Sequence, residues 1–330
     1  MESIPFGKHS LLDCIGDTPL VYLHEPSRQA GAHLFGKCEF LNPGLSVKDR
    51  PALTIIQEAE RRGDLKPGGI VVEGTAGNTG IGLAIVCAVR GYRCILFIPE
   101  TMSRDKVDFL RAFGADVRLV PKKPWGDPEH YQNLAAKLAE ETPGALFADQ
   151  FGNPANVQAH YETTGPEIWR QSNGQVDVLM AGMGTSGTIV GAGRYLKEQN
   201  PKIRIVVTDP GGSVYLNYIQ NGEESAEGSS IIEGVGIGKI PPLFEPQDID
   251  EIFRVHDPES VAMNRTLVEK EGMFLGGCAG MVVAGAVEWA KRAGKRPDRR
   301  PWNIVTVLTD TGLRYLSRLY NPDWLRSQGL

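Results

Sequence analysis

The sequence predicts an α/β protein with two domains, each built around a parallel sheet. The chain has 330 residues, more than one hydrophobic core usually supports, so two domains are expected. Short runs rich in isoleucine and valine alternate with helical segments, as they do in parallel sheets that are covered on both faces. Glycine-rich turns follow several of these runs, where ligands gather in such folds.

The composition is that of an ordinary soluble protein, with 41% hydrophobic and 23% charged residues. The net charge of -5 gives no electrostatic reason to expect nucleic acid or an anionic membrane as a partner. The N-terminus lacks the pattern of a signal peptide, and no apolar run approaches the ~20 residues of a membrane span.

The cysteines point to a reducing compartment. They are Cys14, Cys38, Cys87, Cys94 and Cys278. Their number is odd and no pair has C-x-x-C spacing, which argues against a disulfide framework and against a zinc site. We therefore expect a cytoplasmic protein without a metal.

The elements of the first α/β unit are expected to end near residue 150. The first forty residues are predicted to form a strand from Leu20, a loop, and a strand at His33–Cys38. Predicted helices then alternate with predicted strands. The helices are Ala52–Arg62, Gly80–Arg90, Ser103–Phe113 and a segment ending at Glu141, and the strands are Ile70–Glu73, Arg93–Ile98, Asp116–Val120 and Ala145–Ala148.

A second α/β unit is expected after Pro154. It begins with a predicted helix, Ala155–Gln171, and ends with a predicted buried strand, Trp302–Leu308. Between them lie the strands Val176–Ala181 and Ile203–Thr208, a helix ending at Gln199, and the helices Pro258–Lys270 and Met281–Ala293.

Lys48 lies in the segment NPGLSVKDR, where turn residues precede a helix that has Pro51 in its first turn. Such a junction gives a side chain a rigid support and leaves its tip accessible. A lysine becomes nucleophilic when its pKa falls, as in Schiff-base sites, although most lysines are solvated surface charges.

The turn GTAGNTG, Gly74–Gly80, follows a strand and opens a helix. Exposed amides and the positive end of the helix dipole make such a junction a site for an anion, for example a small carboxylate. A tight turn with a polar cap explains the same residues.

The turn AGMGTSGT, Ala181–Thr188, matches the G-x-G-x-x-G dinucleotide fingerprint, and Asp209 ends the next strand about twenty residues later. The loop equally suits a phosphate monoester, with backbone amides and hydroxyl groups as donors. Its position in the middle of the chain and its density of hydroxyl groups count against a dinucleotide.

Thr311 follows the last strand, in LTDTGLRY. Its hydroxyl group is placed either to hydrogen-bond a ring nitrogen of a ligand or to cap a short helix.

Together these segments resemble the family of cysteine synthase (O-acetylserine sulfhydrylase) and cystathionine β-synthase, which are pyridoxal-phosphate enzymes of fold type II, the tryptophan-synthase-β-like fold. The resemblance covers nearly the whole chain, with every motif in the family's order. Further matching segments are DQFGNPAN from Asp149, TTGPEIW from Thr163 and EGVGIGKIPP from Glu233.

The resemblance assigns roles to named residues. Lys48 would be the catalytic Schiff-base lysine and Asn78 would contact the ring oxygen of pyridoxal 5'-phosphate. The phosphate would be bound by Gly184, Thr185, Ser186, Gly187 and Thr188, and the ring nitrogen by Thr311. The substrate carboxylate would be bound by Thr75, Ala76, Gly77, Asn78, Thr79 and Gln150.

The resemblance also implies the domain division: a smaller, mobile domain, residues 37–154, carrying the carboxylate loop, and a larger one, residues 1–36 plus 155–330, carrying the phosphate loop. A homodimer is implied as well. Ala76 departs from the family pattern, which usually has serine there, and this is the departure that could alter substrate choice.

The function implied is cysteine biosynthesis: replacement of the activating group of an O-activated L-serine, such as O-acetylserine, by sulfide. The partners would then be a small amino-acid substrate and sulfide. A cysteine desulfhydrase or a cystathionine-forming enzyme with the same site is the alternative. An NAD-dependent dehydrogenase, or a silent binding module on this fold, is a more distant one.

Overall fold

The computed structural model describes residues 7–75, 77–102 and 104–330, so Ala76 and Ser103 lie outside the described residues. The chain divides into two compact units. Unit 1 contains the N-terminal residues up to Gly16 together with Asn42–Ala159, and unit 2 contains Asp17–Leu41 together with His160–Leu330.

The strands, in chain order, are β1 (Leu20–Tyr22), β2 (His33–Cys38), β3 (Ile70–Gly74), β4 (Arg93–Pro99), β5 (Asp116–Val120), β6 (Ala145–Phe147), β7 (Val178–Gly182), β8 (Arg204–Asp209), β9 (Glu251–Arg254) and β10 (Asn303–Leu308). The helices are α1 (His24–Ala30), α2 (Asp49–Arg62), α3 (Asn78–Arg90), α4 (Arg104–Ala112), α5 (Tyr131–Glu141), α6 (Ala155–Ala159), α7 (Gly165–Gln171), α8 (Gly187–Gln199), α9 (Tyr215–Asn221), α10 (Asp257–Glu271), α11 (Gly277–Ala293) and α12 (Pro322–Ser327).

Unit 1 is built on a parallel sheet, whose described strands are ordered β5-β4-β3-β6. Helices α2, α3 and α4 supply side chains such as Ile56, Leu83 and Leu110 to one apolar layer, which also includes Val71 of β3. Helix α5 covers the other face through a second layer that includes Val72. Successive residues of β3 therefore point to opposite layers, as the period of a strand requires.

The N-terminal residues of the chain pack with unit 1. Leu12 is buried in the layer beneath α2 and α3, and the amide of Gly16 donates to Asn42 Oδ1 at 2.8 Å. The division thus falls after Gly16, Leu41 and Ala159, whereas the sequence-based division falls after residues 36 and 154.

Unit 2 is built on a sheet whose described strands are ordered β1-β2-β10-β7-β8-β9. All neighbouring pairs are parallel except β1 with β2, an antiparallel pair at one edge. Helices α1, α10 and α11 bury one apolar layer against it, with Trp289 of α11 only 1% exposed. The α/β fold with parallel sheets is confirmed.

A buried lysine fixes the start of unit 2. Lys37 of β2 is fully buried, and its Nζ donates to Thr18 O at 2.6 Å, to Glu167 Oε2 at 2.5 Å and to Gln171 Oε1 at 3.0 Å. Glu167 Oε1 also accepts from the amide of Asp17 at 2.9 Å. The TTGPEIW segment, which contains Glu167, therefore anchors the chain where it enters β1.

Several elements differ from those predicted, and the short helices α9 and α12 lie where no element was predicted. The residues between β1 and β2 form helix α1, and β9 is an edge strand in a region with no predicted element. The predicted helix over residues 155–171 is divided into α6, a π-helical turn at His160–Thr164 and α7. The division accompanies Pro166, which has no amide hydrogen to donate to the carbonyl four residues earlier.

No helix in the described part of the chain is long and apolar enough to cross a membrane. Within the same residues, no group of three or more His, Cys, Asp or Glu side chains is placed to hold a metal ion.

Candidate active site

Lys48 lies where the loop becomes helix α2. It is the N-cap residue, and its carbonyl accepts a helical hydrogen bond from Ala52 N at 3.1 Å. Its own amide donates to Ser46 Oγ at 3.3 Å, while the fully buried carboxylate of Asp49 accepts from the amide of Gly44. The lysine backbone is therefore held by its own turn, and its side chain is half-buried.

Helix α3 packs directly on this junction because residue 82 is glycine. A Cβ at Gly82 would lie 2.9 Å from the carbonyl oxygen of Lys48 and 2.9 Å from Ala52 Cβ. Atoms cannot approach that closely without displacement, so a side chain here would push the two helices apart. The close packing brings the lysine junction near the helix whose first residue is Asn78.

The turn that opens α3 has the form expected of an anion site. Gly77, the N-cap residue, has extended backbone, and its amide donates to Thr75 Oγ1 at 3.3 Å. The amide of Thr75 is anchored to Phe97 O of β4 at 3.1 Å. Helix α3 begins at Asn78, so the positive end of its dipole is at this turn.

Two residues that are far apart in sequence, Thr79 and Gln150, are hydrogen-bonded in this unit. Thr79 Oγ1 donates to Gln150 Oε1 at 2.6 Å, and both side chains are buried. Because Oε1 is occupied as an acceptor, the amide of Gln150 is oriented with Nε2 as its donor end, which suits a carboxylate. The hydroxyl proton of Thr79 is engaged with Gln150, so Thr79 itself would meet an anion through its backbone amide.

Glu73 is a buried carboxyl group that sequence reasoning missed. It is the fourth residue of β3 and 1% exposed, and it accepts from the amides of Gly74 (Oε1, 2.9 Å) and Gln150 (Oε2, 3.1 Å). Burial raises the pKa of Glu73 to about 8. The only sequence signal is an acidic residue that ends an apolar strand.

The second glycine-rich turn, between β7 and α8, is tightly packed. A Cβ at Gly184 would lie 2.9 Å from the carbonyl oxygen of Gly234. Ser186, the N-cap of α8, is left-handed (φ 67°, ψ −21°), and its hydroxyl donates to Thr185 O at 2.5 Å. Tyr215 donates to Gly184 O at 2.7 Å, and burial holds the pKa of Tyr215 well above its usual value, so the tyrosine stays a donor.

A histidine not identified from the sequence supports this turn. His160 is fully buried, with Nε2 3.1 Å from Thr188 Oγ1 and Nδ1 2.8 Å from Thr164 Oγ1. A neutral imidazole donates at one nitrogen and accepts at the other. When Nε2 donates to Thr188, the hydroxyl proton of Thr188 is left for an anion at the N-terminus of α8.

Asp209 does not have the environment that a dinucleotide fingerprint requires. It is fully buried, its Oδ2 accepts from the amide of Leu216 at 3.2 Å, and burial raises its pKa to about 6. A buried carboxyl group that accepts hydrogen bonds from its own unit is not available to bind the ribose hydroxyl groups of a dinucleotide.

Thr311 caps the short 3₁₀-helix Gly312–Tyr315, and its Oγ1 accepts from the amide of Leu313 at 3.3 Å. Because Leu313 occupies a lone pair, the hydroxyl proton of Thr311 remains a donor for a ligand. The preceding Asp310 accepts from Tyr315 Oη at 2.7 Å, which fixes this turn. Both interpretations of Thr311, cap and donor, are compatible in this geometry.

The predicted site residues are thus distributed over both units. Unit 1 carries Lys48, Thr75, Gly77, Asn78, Thr79 and Gln150, and unit 2 carries Gly184, Thr185, Ser186, Gly187, Thr188 and Thr311. Unit 1 has the lysine and the turn predicted to bind a carboxylate, while unit 2 has the turn predicted to bind a phosphate and the hydroxyl group of Thr311. Ala76 lies outside the described residues, so its predicted effect on substrate choice stays a prediction.

The residues of unit 2 fit the phosphate and ring of pyridoxal phosphate. Gly184 leaves no room for a side chain, so backbone amides line the turn. Hydroxyl groups at Thr185 and Thr188 add neutral donors to the N-terminus of α8, whereas Ser186, whose hydroxyl proton is engaged with Thr185 O, would contribute its backbone amide.

The fold and these segments indicate a class of enzyme: an α/β protein of two units, with a lysine at a helix N-terminus and a glycine-rich turn that opens a helix in each unit. Residues 11–310 match the family model described as pyridoxal-phosphate dependent enzyme. The chain belongs to this family, and pyridoxal phosphate is its cofactor. The resemblance found in the sequence is confirmed, and the dehydrogenase alternative is excluded.

Relatives within the family are similar over most of the chain. Cysteine synthase 1 of Emericella nidulans is 43% identical over 98% of this chain and 87% of its own length. Cystathionine beta-synthase of Apis mellifera is 41% identical over 97% of this chain but only 62% of its own length. A hydrogen sulfide-producing enzyme from Fusobacterium nucleatum has a similar structure (TM-score 0.84, 33% identity, covering 94% of this chain and all of its own).

Proposed function

We propose that this enzyme is a cysteine synthase, which replaces the acetoxy group of O-acetylserine by sulfide to give L-cysteine and acetate. The observation that carries the proposal is the bond between Thr79 and Gln150, which orients a donor amide beside the anion turn. The 43% identity with cysteine synthases over nearly the full chain supports it.

The carboxylate of the substrate is bound by residues 75–79 and Gln150. The helix dipole and the amides at the start of α3 favour an anion there, and Gln150 Nε2 adds a directed donor. Binding the carboxylate in this way fixes the orientation of the Cα–H bond. Ala76, within this turn, is the residue expected to tune substrate choice.

Lys48 would hold the cofactor in the resting enzyme, and would later remove and return the proton on the substrate Cα. Pyridoxal phosphate supplies the electron sink that makes this proton removable. The C–O bond at Cβ breaks with its electron pair leaving on acetate, and sulfide forms the new bond to Cβ.

Gly184–Thr188 would hold the cofactor phosphate, Asn78 would contact the ring oxygen, and Thr311 would donate a neutral hydrogen bond to the ring nitrogen. With this neutral partner the ring nitrogen would stay unprotonated. The cofactor would then supply a moderate electron sink, which favours elimination and replacement at Cβ over reactions that need a long-lived carbanion.

A matrix of substrates tests this function. O-acetylserine, O-phosphoserine, serine and cysteine are each offered with and without sulfide or homocysteine, and products are identified by mass spectrometry. Cysteine should form fastest from O-acetylserine with sulfide. If no cysteine forms from any donor with sulfide, the proposal fails.

The second candidate is a lyase or cystathionine-forming activity at the same site. It is favoured by the similarity to a cystathionine beta-synthase and to a hydrogen sulfide-producing enzyme. Sulfide release from cysteine alone, or cystathionine formation from serine and homocysteine, at a higher kcat/KM than cysteine synthesis would establish it.

We further infer a homodimer located in the cytoplasm, with unit 1 as the mobile part of each protomer. The family resemblance supports the dimer and the mobility, and the unpaired cysteine pattern supports a reducing compartment. Light scattering of the purified protein tests the oligomeric state, and a measured mass equal to one chain would refute the homodimer.

A further inference from the structure

We propose that Glu73 is a positioning residue that sets the affinity of the substrate-carboxylate site and its dependence on pH, because it fixes the backbone of Gln150 next to the anion turn. The proposal rests on the function given above, because it assigns a role to a residue behind the same carboxylate site.

The backbone of Gln150 depends on Glu73. The chain leaves β6 with the amide of Ala148 donating to Val72 O at 3.0 Å, and then turns through Asp149, whose φ of 48° is left-handed. That turn brings the amide of Gln150 to Glu73 Oε2. Without this acceptor a buried amide would lose its partner, so the segment carrying the Gln150 side chain would shift.

The surroundings of Glu73 disfavour its charge. It shares a layer with Val71 and lies opposite Leu96 of β4, both fully buried. The pKa of Glu73 is raised to about 8, mainly by burial and in smaller part by the charge of Asp149, against the opposing effect of the two backbone hydrogen bonds from Gln150 and Gly74. The Cys94 thiol on β4 and the Tyr131 phenol on α5 are titratable groups close enough to feel the charge of Glu73, and neither is a cation.

The raised pKa of Glu73 determines how the affinity for a carboxylate changes with pH. Glu73 is uncharged below about pH 8 and becomes a carboxylate above it. It lies two residues before Thr75 and holds Gln150, so its negative charge would repel a carboxylate in the anion turn. Affinity for a carboxylate should therefore fall as pH rises through 8, and a bound carboxylate should in turn raise the pKa of Glu73.

Acetate is the probe, because it is a fully ionised carboxylate without an amine between pH 6.5 and 9.5. The holoenzyme is titrated with acetate in competition with L-serine, whose binding is followed by cofactor absorbance, across this pH range. Three proteins are compared: the parent, Glu73→Gln, and Glu100→Gln. Glu100 is the control, since it is an exposed acid that directly follows the neighbouring strand.

The dissociation constant of acetate should rise about tenfold from pH 7 to 9.5 in the parent and in Glu100→Gln, the effect of an interaction equal to one pKa unit. In Glu73→Gln it should change less than about threefold. A Glu73→Gln profile that parallels the parent overturns the proposal, as does a parent profile that is flat or falls.

The experiment still gives a decision in two less favourable cases. If Glu73→Gln does not fold, the parent profile alone decides, because only a rise above pH 8 is compatible with the proposal. If L-serine does not change the absorbance, the proposed substrate class is wrong. Acetate affinity is then measured from the shift of the thermal midpoint, which needs no substrate.

Discussion

Replacing Thr79 by valine tests the carboxylate site most directly. Valine has nearly the shape of threonine, so the change removes the 2.6 Å hydrogen bond to Gln150 Oε1 and retains the backbone of α3. A buried acceptor left without its partner costs about 1–3 kcal/mol. Gln150 is 7% exposed, so it recovers little of this from water and should rotate, which turns its donor amide away from the anion turn.

Loss of one oriented donor should reduce substrate affinity by about 1.4 kcal/mol, which corresponds to a tenfold rise in KM for O-acetylserine. We expect kcat to change less than about threefold, because Lys48 and the cofactor contacts are unaffected. Steady-state kinetics with sulfide at saturation measures both constants, and the resting absorbance spectrum reports cofactor loading.

Two variants control this experiment. Thr79→Ser keeps a hydroxyl group and should restore KM to near the parental value. Thr101→Val makes the same replacement at an exposed threonine in the same unit and should change neither constant. A Thr79→Val enzyme with parental KM, or one that loses kcat alone, would refute the role assigned to the Thr79–Gln150 pair.

Three further predictions concern the rest of the site and its scaffold. Lys48→Ala should abolish the absorbance at about 410 nm and lower kcat by at least about a thousandfold, and parental turnover would rule out its assigned role. Lys37→Met should lower the free energy of unfolding by about 3–5 kcal/mol in denaturant titration, because it removes the cationic partner of the buried Glu167 carboxylate. Adding Glu167→Gln should recover part of that loss, and no recovery would contradict a direct pairing. Gly184→Ala should weaken cofactor binding about tenfold in a dialysis titration, since its Cβ meets a carbonyl at 2.9 Å, while Gly126→Ala, with open space around it, should have no effect.

The elements that position the site could be predicted from the sequence because their signals are local. Lys48 follows turn residues and precedes a helix, and the turns at Gly77 and Gly184 each join an apolar strand to a helix. The structure has each junction where its residues predict it. Helix α1 was missed because it is only seven residues long and contains Pro26, and β9 because it is a short strand at the edge of its sheet.

The supporting residues could not be predicted because their partners are distant along the chain. Glu73 is held by the amide of Gln150, 77 positions away, and His160 contacts Thr188, 28 positions away. An acid that ends an apolar strand or a histidine within a helical pattern is equally typical of a solvent-exposed position. Only the three-dimensional pairing distinguishes a buried partner from a surface group.

The sheet order of unit 2 has a consequence for how the protein is made. Strand β10, near the end of the chain, lies between β2 and β7, and its residue Thr306 pairs with Gly36, synthesised 270 positions earlier. The emerging strands β1 and β2 must therefore wait for nearly the whole polypeptide before their sheet can close. The described strands of unit 1 are complete by Phe147, so the lysine-bearing unit can fold on the ribosome while unit 2 is still incomplete. During synthesis, β2 exposes an unpaired edge, and this is the interval in which we expect the nascent chain to need a chaperone most.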